Sequence, residues 1–597
     1  MIEKMRKYSF VLYHRDYEAF LAQLQKLGVL HLIRNTEAKT ESLVKNLELI
    51  GDFAEATSFL QKLASEAEKT ATALTPKMLL NKITEARGEK DRLGRQAETL
   101  RKQIRELEPW GHFDYELEKK LEADGIQVDF HTCLKNHFKS QWEEDYAIKK
   151  ISEVNGILYF VVFHTGEKPV LEADSFTFHK HTIQELEDQL KGVESRIADI
   201  DEYLQNTAPT AIESFAAEIG RLSEACEYED ATLQGLSAAD DHVRVVGGYI
   251  PERLEPELKG FLEQNGIIHF AADATVEDNP PVSLRNGWFA RLFEPISRMY
   301  MLPNYNEFDL TPFFAPFFML FFGFCNADIA YGVIFILLAL FLRFRAKNPA
   351  MKSMMTLVAL FGAASIVMGS VFGSVLGFDL KETSLDKFVV VRNYDQIFNF
   401  SLILGAIQIL FGTLVNGVKL SRQGGFKYFL APFGTFLFLL GLIILGAGLL
   451  DADISRVQPY VKYLIWAGLA LLLLFNNPAK SILKNVLGGL WLLYNVVTGF
   501  FGDILSYIRL FALGVSSAIL GFVINSIGQQ FLSIKILGPV IFFLFMVAGH
   551  GLNIALGALS GFVHPLRLTF VEFYKNAGFN GPGLEYKPFG KTKKINT

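Results

Sequence analysis

Two arginines lie inside stretches otherwise apolar enough to enter a bilayer, and an arginine does not shed its charge there. The first stretch, Leu487 to Ile527, is long enough to cross hydrocarbon with a strong tilt and carries Asp503 and Arg509 in its interior. The second, Ile536 to Tyr574, carries His550, Asn553, Ser560, His564, Arg567 and, near its end, Glu572. Positions 550, 553, 557, 560, 564 and 567 are spaced 3, 4, 3, 4, 3, and all are polar except the small Gly557. One seam of this helix is therefore hydrophilic or thin and is expected to face protein or water. An arginine at a bilayer centre costs roughly 2.5 to 3.5 kcal/mol on insertion scales, so each needs a partner or a wet cavity.

The chemistry open to such a site is control of a proton or cation held by a partner. A carboxylate passing at about 4 Å from a guanidinium gains on the order of 4 kcal/mol at an effective dielectric of 20, near three pKa units, and releases its proton or cation. Away from the arginines, facing lipid, the same carboxylate has to be neutralised again. Asp503, one to two turns before Arg509, suits either an inner half-channel or a structural pairing with a neighbour. His564, three residues from Arg567, suits a path role or a helix-packing hydrogen bond. Glu572 is expected at the membrane edge, and Asn326 and Asp328 at a turn and helix cap.

The elements that must position these residues occupy only half of the chain. Of 597 residues, 50% are hydrophobic, but nearly all the charge precedes about residue 300 and most Phe and Leu runs follow Leu310. A soluble part and a membrane part are averaged in that figure. The net charge of −6 argues against a nucleic-acid surface. Cys133, Cys226 and Cys325 fit neither a zinc spacing nor a disulfide framework, and no cofactor or metal is called for. The first residues, MIEKMRKYSFVLYHRDYE, lack an apolar signal core, which predicts a cytoplasmic N-terminal part. No GxxxxGK[ST] motif is present, so any ATP is expected to be hydrolysed by another chain.

The fold expected is mostly α: an N-terminal α+β cytoplasmic arm (residues 1–300) with an antiparallel coiled-coil hairpin, then a C-terminal transmembrane domain of eight helices (301–597). Strand, helix, strand patterns recur at about 1–35 and 240–275, and Gly28-Val29-Leu30-His31 matches Gly266-Ile267-Ile268-His269 in place and type, which suggests two related α+β units with His31 and His269 at strand ends. Between them, Ala86, Lys90, Leu93, Ala97, Leu100, Ile104 and Leu107 alternate steps of 4 and 3, as do Ile183, Leu186, Leu190, Val193, Ile197, Ile200 and Leu204. Such seams predict coiled-coil helices over about 40–109 and 178–226, with a small tip domain at about 111–175.

Eight candidate spans follow: Thr311 to Phe324, Ala327 to Phe344, Met354 to Phe378, Ile397 to Val418, Phe429 to Leu450, Tyr463 to Phe475, and the two long stretches. With the N-terminus inside, the cytoplasmic connections carry Arg343, Arg345, Lys347 and Lys352, then Lys419, Arg422 and Lys427, then Lys480 and Lys484, and a tail with Lys575, Lys587, Lys591, Lys593 and Lys594. The opposite connections mix fewer basic residues with acids, namely Asp379, Lys381, Glu382, Asp386, Lys387, Arg392, Asp451, Asp453 and Arg456. That alternation predicts both termini in the cytoplasm. Arg567 lies some thirty residues from the outer start of its helix, so bringing it level with Arg509 requires strong tilt.

The stretches DILSYIRLFALG and GFVHPLRLTFVEF, the entry segment PPVSLRNGWFARLFEPISRMYMLPNYNEFDLTPFFAPFFMLFFGFCNADIAYG and VVGGYIPERLEPELK resemble the V-type ATPase membrane stator, subunit a, called subunit I in prokaryotic V/A-type enzymes. The resemblance runs through the whole chain in order, and the modest length is similar to the prokaryotic form, which implies a multi-pass protein of the plasma membrane. It implies an eight-helix domain beside a rotating ring of proteolipid subunits, each with one essential carboxylate, and places Arg509 and Arg567 against that ring. It also implies an arm that binds peripheral stalks, contact with a central-stalk cap subunit, and a link through the stalks to the soluble ATPase sector. Several relatives of the family it resembles carry a histidine eight residues after the first arginine and a glutamate ten residues before the second. Here those positions are Ser517 and Gly557, so water with Ser516, Ser517, His550 and Asn553 is the expected lining of the outer half-channel.

Two other classes share some of these features. A secondary transporter also holds charge at mid-membrane, but it usually shows paired repeats, and none is visible between Thr311 and Tyr574. A membrane-anchored scaffold would use the arginines only for pairing within the protein. The ions open to the stator are H⁺ and Na⁺, because the residues that select between them would lie mainly on the ring.

Overall fold

The computed structural model describes residues 1–36, 39–63, 74–111, 115–166, 169–177, 182–379, 389–449, 455–477, 481–535 and 537–590. Of the charges invoked for topology, Lys381, Glu382, Asp386, Lys387, Asp451, Asp453, Lys480, Lys591, Lys593 and Lys594 lie outside the described residues. The chain is mostly helical, with an N-terminal α+β part and several apolar helices. It divides into two compact units, Glu37–Leu233 and Met1–Thr36 with Gln234–Thr597.

The larger unit starts with strand β1 (Met5–Tyr13), helix α1 (Tyr17–Leu27) and strand β2 (His31–Leu32). The smaller unit contains α2 (Glu41–Leu63), α3 (Pro76–Leu107), a tip with α4 (Tyr115–Ala123), β3 (Gln127–Leu134), α5 (Gln141–Asp145), β4 (Ala147–Val154), β5 (Ile157–His164) and β6 (Asp174–Phe176), and the 51-residue α6 (Ile183–Leu233). In the stretch read as coiled-coil over about 40–109, α3 has a start of its own: the Thr75 hydroxyl accepts from the Met78 amide, and Pro76 stands in the first turn. Proline suits that position because the first turn's amides have no intrahelical partner. Both α2 and α3 run antiparallel to α6. Phe53, Leu60, Leu79, Leu80 and Ile83 pack on Leu204, Ala208, Ala211 and Phe215, and farther along Leu93, Ala97, Leu100 and Leu107 pack on Leu186 and Val193. Arg101 pairs with Glu194 (2.8 Å) and Lys90 with Asp201 across the α3–α6 seam. The tip sheet has the order β4-β5-β3-β6.

The larger unit resumes with β7 (Leu236–Ala238), β8 (Val243–Pro251), α7 (Glu255–Asn265) and β9 (Ile268–Asp273). The two strand-helix-strand patterns are not separate units. They interleave in one sheet of order β2-β8-β1-β9, with β7 on β8 and every pairing antiparallel. β1 is therefore central, and its alternate residues Tyr8, Phe10 and Leu12 are buried. His31 and His269 do lie in strands.

After the amphipathic α8 (Trp288–Tyr300) come the apolar helices α9 (Thr311–Cys325), α10 (Ile329–Arg345), α11 (Pro349–Phe372), a short hairpin of β10 (Ser374–Val375) and β11 (Phe378–Asp379), then α12 (Tyr394–Gly424), α13 (Leu430–Leu449), α14 (Gln458–Leu474), α15 (Ile482–Phe531) and α16 (Gly538–Arg567). Among the described residues, five helical segments are long and apolar enough to cross a membrane, and Thr311–Cys325 and Gln458–Leu474 are shorter apolar helices. A phenylalanine-rich core, including Phe314, Phe318, Phe322 and Phe361, fastens α9 to α11, with Phe322 and Phe361 stacked at 4.4 Å. Asp328 explains the sharp turn between α9 and α10. One carboxylate oxygen accepts from the amides of Ala330 and Tyr331 as the cap of α10, and the other from Ser374 Oγ (2.9 Å) and the Gly377 amide (3.0 Å). That holds the β10–β11 hairpin onto α15, where a Cβ on Gly377, at φ +73°, would collide with the backbone of Gly521.

Candidate ion-translocation site

α15 runs unbroken for 50 residues and packs along α16, while a π-helical turn, Leu568–Phe573, continues α16 beyond Arg567. Wider turns of this kind inside helices are frequent at functional sites. Together they bring Arg509, Arg567, His564 and Glu572 into one neighbourhood. The two guanidinium groups lie in each other's field, His564 lies in the field of both, and Glu572 faces Asp503, Ser506 and Arg509. Arg509 is half-buried with Nη1 enclosed, Arg567 is exposed, and His564 is half-buried.

Glu572, in the π-turn, is only 2% exposed. Its Oε2 has no hydrogen-bond partner among the described residues, and the same holds for Arg509 Nη1, Gln408 Nε2 and Thr569 Oγ1. Gln408 on α12 accepts at Oε1 from the Tyr507 hydroxyl (2.7 Å), and both residues are fully buried. These four polar atoms on the facing elements α12, α15 and the π-turn are thus buried without a partner among the described residues, and each such orphan costs about 1–3 kcal/mol if dry. Asp503 accepts from Lys575 Nζ and Asn576 Nδ2, both at 2.8 Å.

The polar seam of α16 divides. His550, Asn553 and Gly557 point inward, Ser560 and His564 are half-buried, and Arg567 faces out. Ser560 Oγ donates to the Gly557 carbonyl (3.2 Å). Ser516 is exposed, and Ser517 contributes its carbonyl, accepting from Asn553 Nδ2 at 3.2 Å. A Cβ at Gly557 would collide with Asn326 Oδ1, and one at Gly561 with Asn326 Nδ2. The side-chain space at 557 is thus already filled by the amide of Asn326, itself 1% exposed, from the α9–α10 turn.

Residues that sequence reasoning did not assign to the site lie beside those it did: Gln408, Tyr507, Asn576 and Lys575, read there only as a tail charge, near the arginines, and Tyr331 and Asn525 farther along. Gln408 and Asn525 carried a signal, an isolated amide in an apolar run. Tyr331 carried none, as tyrosine is ordinary in such helices. Among the described residues no cluster of His, Cys, Asp and Glu suits a metal ion, and the three cysteines are free and buried.

Comparison with known proteins gives the arrangement a context. The chain is similar to the V-type ATP synthase subunit I of Borreliella burgdorferi, 27% identical over 514 residues covering 81% of this chain and 82% of that one. It is similar to the A-type ATP synthase subunit I of Methanocaldococcus jannaschii, 25% identical over 509 residues, 77% and 71% of the two chains. The V-type ATP synthase subunit I 1 of Treponema pallidum is 23% identical over 641 residues, 99% and 100% of the two. A crystal structure of the cytoplasmic N-terminal domain of subunit I, homolog of subunit a of V-ATPase, aligns with 45% of this chain and 100% of its own at 13% identity, with a TM-score of 0.21 that supports no argument about shape. A family description matches residues 33–381, more than half of the sequence, and on that match the chain belongs to the V-type ATPase 116kDa subunit family.

Proposed function

We propose that this chain is the static membrane subunit of a rotary V/A-type ATPase, forming ion half-channels against a rotating proteolipid ring and coupling rotation to ion transport. The observation that carries the reading is Arg509: a half-buried guanidinium with an enclosed, unpartnered Nη1, beside Arg567, on two helices whose outer face is uncovered. Leu505, Ser516 and Ile519 of α15 and Leu556, Leu559 and Val563 of α16 are exposed there. An apolar face with a positive charge at its centre suits a partner helix that brings a carboxylate past.

The ring carboxylate discharges at Arg509, and the positive barrier blocks a direct leak between the two half-channels. The polar cluster of Glu572, Ser506, Gln408 and Thr569 forms the inner path, with Asp503 and Lys575 at its mouth. α9 to α16 form eight spans with both termini in the cytoplasm, a topology supported by Arg343, Arg345, Lys419, Arg422 and Lys484 at alternate connections. The arm, with α3 and α6 as a coiled-coil hairpin, binds peripheral stalks, and ATP is hydrolysed by the soluble sector.

The test is Arg509→Ala in the assembled complex. ATP hydrolysis and subunit recovery should stay within about twofold of wild type while ion pumping into vesicles falls at least a hundredfold, the scale of losing one preorganised charge. If instead the complex fails to assemble and no pumping defect separates from that loss, the arginine is a scaffold residue. Solute transport by the purified chain alone would favour the carrier class.

A further inference from the structure

A charge that meets a partner at close range needs its own helix held against turning and sliding. The inward face of α15 reads Asp503, Tyr507, Leu510 and Gly514, all buried at steps of 4, 3 and 4. Arg509 follows Tyr507 by two residues, about 200° around the helix, so the guanidinium leaves α15 on the side away from the one Tyr507 packs. The seat of Tyr507 therefore sets where Arg509 stands.

Tyr507 is held at two points of α12, three residues apart. Its ring covers Gly405, where an added Cβ would overlap the ring atoms Cγ, Cδ1 and Cδ2. Its hydroxyl donates to Gln408 Oε1 at 2.7 Å. Residues 405 and 408 are about 4.5 Å apart along a helix axis, so the side chain lies lengthwise on α12, one end on the glycine and the other hooked to the amide. Phe321 of α9 closes another side, its ring centroid 6.0 Å from that of Tyr507, and Leu404, Ile409, Leu510 and Leu568 share the same core. A tyrosine enclosed in this way cannot change rotamer without displacing its neighbours. The two points have different effects. Gly405 fixes how closely α15 approaches α12, since only a residue without Cβ lets the ring lie against the helix backbone. The bond to Gln408 fixes rotation and axial register, because a hydrogen bond weakens as its ends slide past each other.

Resting on the stator reading, we propose that Tyr507, seated on Gly405 and hooked to Gln408, is the positioning residue that sets the distance of Arg509 from the partner carboxylate. Its part is to hold the guanidinium in place. A methyl at position 405 needs about 1 Å more room to reach ordinary carbon contact, and the enclosed ring yields by pushing α15 off α12. A misplacement of about 1 Å costs up to about a hundredfold even when the altered residue is remote from the chemistry.

The test uses the assembled complex in vesicles and reads ions moved per ATP hydrolysed, as acidification or uptake of radioactive sodium. Both rates are taken per recovered complex, so a merely structural role changes yield and leaves the ratio in place. Gly405→Ala should lower the ratio at least tenfold, with ATP hydrolysis within about twofold of wild type. Tyr507→Phe keeps the ring on its glycine and removes only the hydrogen bond, and a fall of about threefold is expected. Gly405→Ala combined with Tyr507→Leu should regain about threefold over Gly405→Ala alone, because leucine vacates the space that the methyl needs. A wild-type ratio in either single variant, or a double variant no better than Gly405→Ala, overturns the proposal. A tyrosine acting through its hydroxyl alone would respond to Tyr507→Phe and ignore Gly405→Ala, an outcome that overturns it as well. Should Gly405→Ala not assemble, an unchanged ratio in Tyr507→Phe overturns the proposal by itself. Arg509→Ala run in parallel separates the two levels: if Arg509 is required and Tyr507 is not, only the positioning role falls, and if neither is required the stator reading falls.

Discussion

Asn326 and Gly557 show how one side chain takes the place of another. The amide enters from the α9–α10 turn and occupies the volume that a side chain at 557 would need. A glutamate at that position therefore does not fit beside it. Gly557→Glu alone should lower the melting temperature of the chain, with a cost of about 1–3 kcal/mol for overpacking. Combining it with Asn326→Ala should recover most of that loss. Equal destabilisation in the single and double variants, measured by thermal denaturation in detergent, would show that the two residues do not compete for the space.

At the scale of elements, β1 at the centre of the five-stranded sheet gives a pH dependence with a defined sign. Its Lys7 ammonium donates to Asp278 at 2.6 Å, and the Thr275 hydroxyl and amide add two more bonds. These contacts, the Lys7 bond first, hold the Asp278 carboxyl down at about 2, below the usual value near 3.9. A carboxyl depressed on folding stabilises the folded state above its unfolded pKa, and that contribution disappears as pH falls from about 4 to about 2. Wild type should melt above Asp278→Asn at pH 6, and the gap should close across that acid window. A gap that stays constant down to pH 2 would exclude the carboxylate as its source.

At the scale of the molecule, the last described residues return from the membrane helices to the α+β sheet. The Gly583 amide donates to Leu302 O (2.8 Å), Val282 N donates to Leu584 O (2.6 Å), Tyr586 N to Val282 O (3.1 Å) and Phe589 N to Leu30 O (2.7 Å). His31 Nδ1 contacts the Lys587 backbone, and the Tyr586 hydroxyl donates to the Val29 carbonyl. Nearer the helices, the buried Lys419 and Glu307 pair at 2.9 Å, and Glu307 also accepts from the Asn580 amide. The tail thus fastens the helix that carries Arg567 to the sheet. Deleting residues 584–590 should speed amide hydrogen exchange at Val282, whose N–H loses its acceptor, and in β2, which follows Phe589's acceptor Leu30, by at least tenfold, as read by mass spectrometry. Unchanged protection there would mean that the sheet holds without the tail.

The sequence by itself determined the division into a charged half and an apolar half, because apolar runs of spanning length and heptad steps are local patterns that follow directly from helix geometry. It also determined the two arginines, since a charge inside an apolar run is conspicuous without any structure, and the seam residues of α3 and α6, which do enter their shared core. Contacts between distant segments were decided only by the tertiary structure. That two strand-helix-strand patterns would merge into one sheet depends on pairing across more than 200 residues, which no local pattern encodes. That Glu572 would be buried depends on the elements packed around its π-turn. That Tyr331, His550 and Asn525 would hydrogen-bond in turn depends on the docking of three separate elements, α10, α16 and α15, whose atoms must come within about 3 Å.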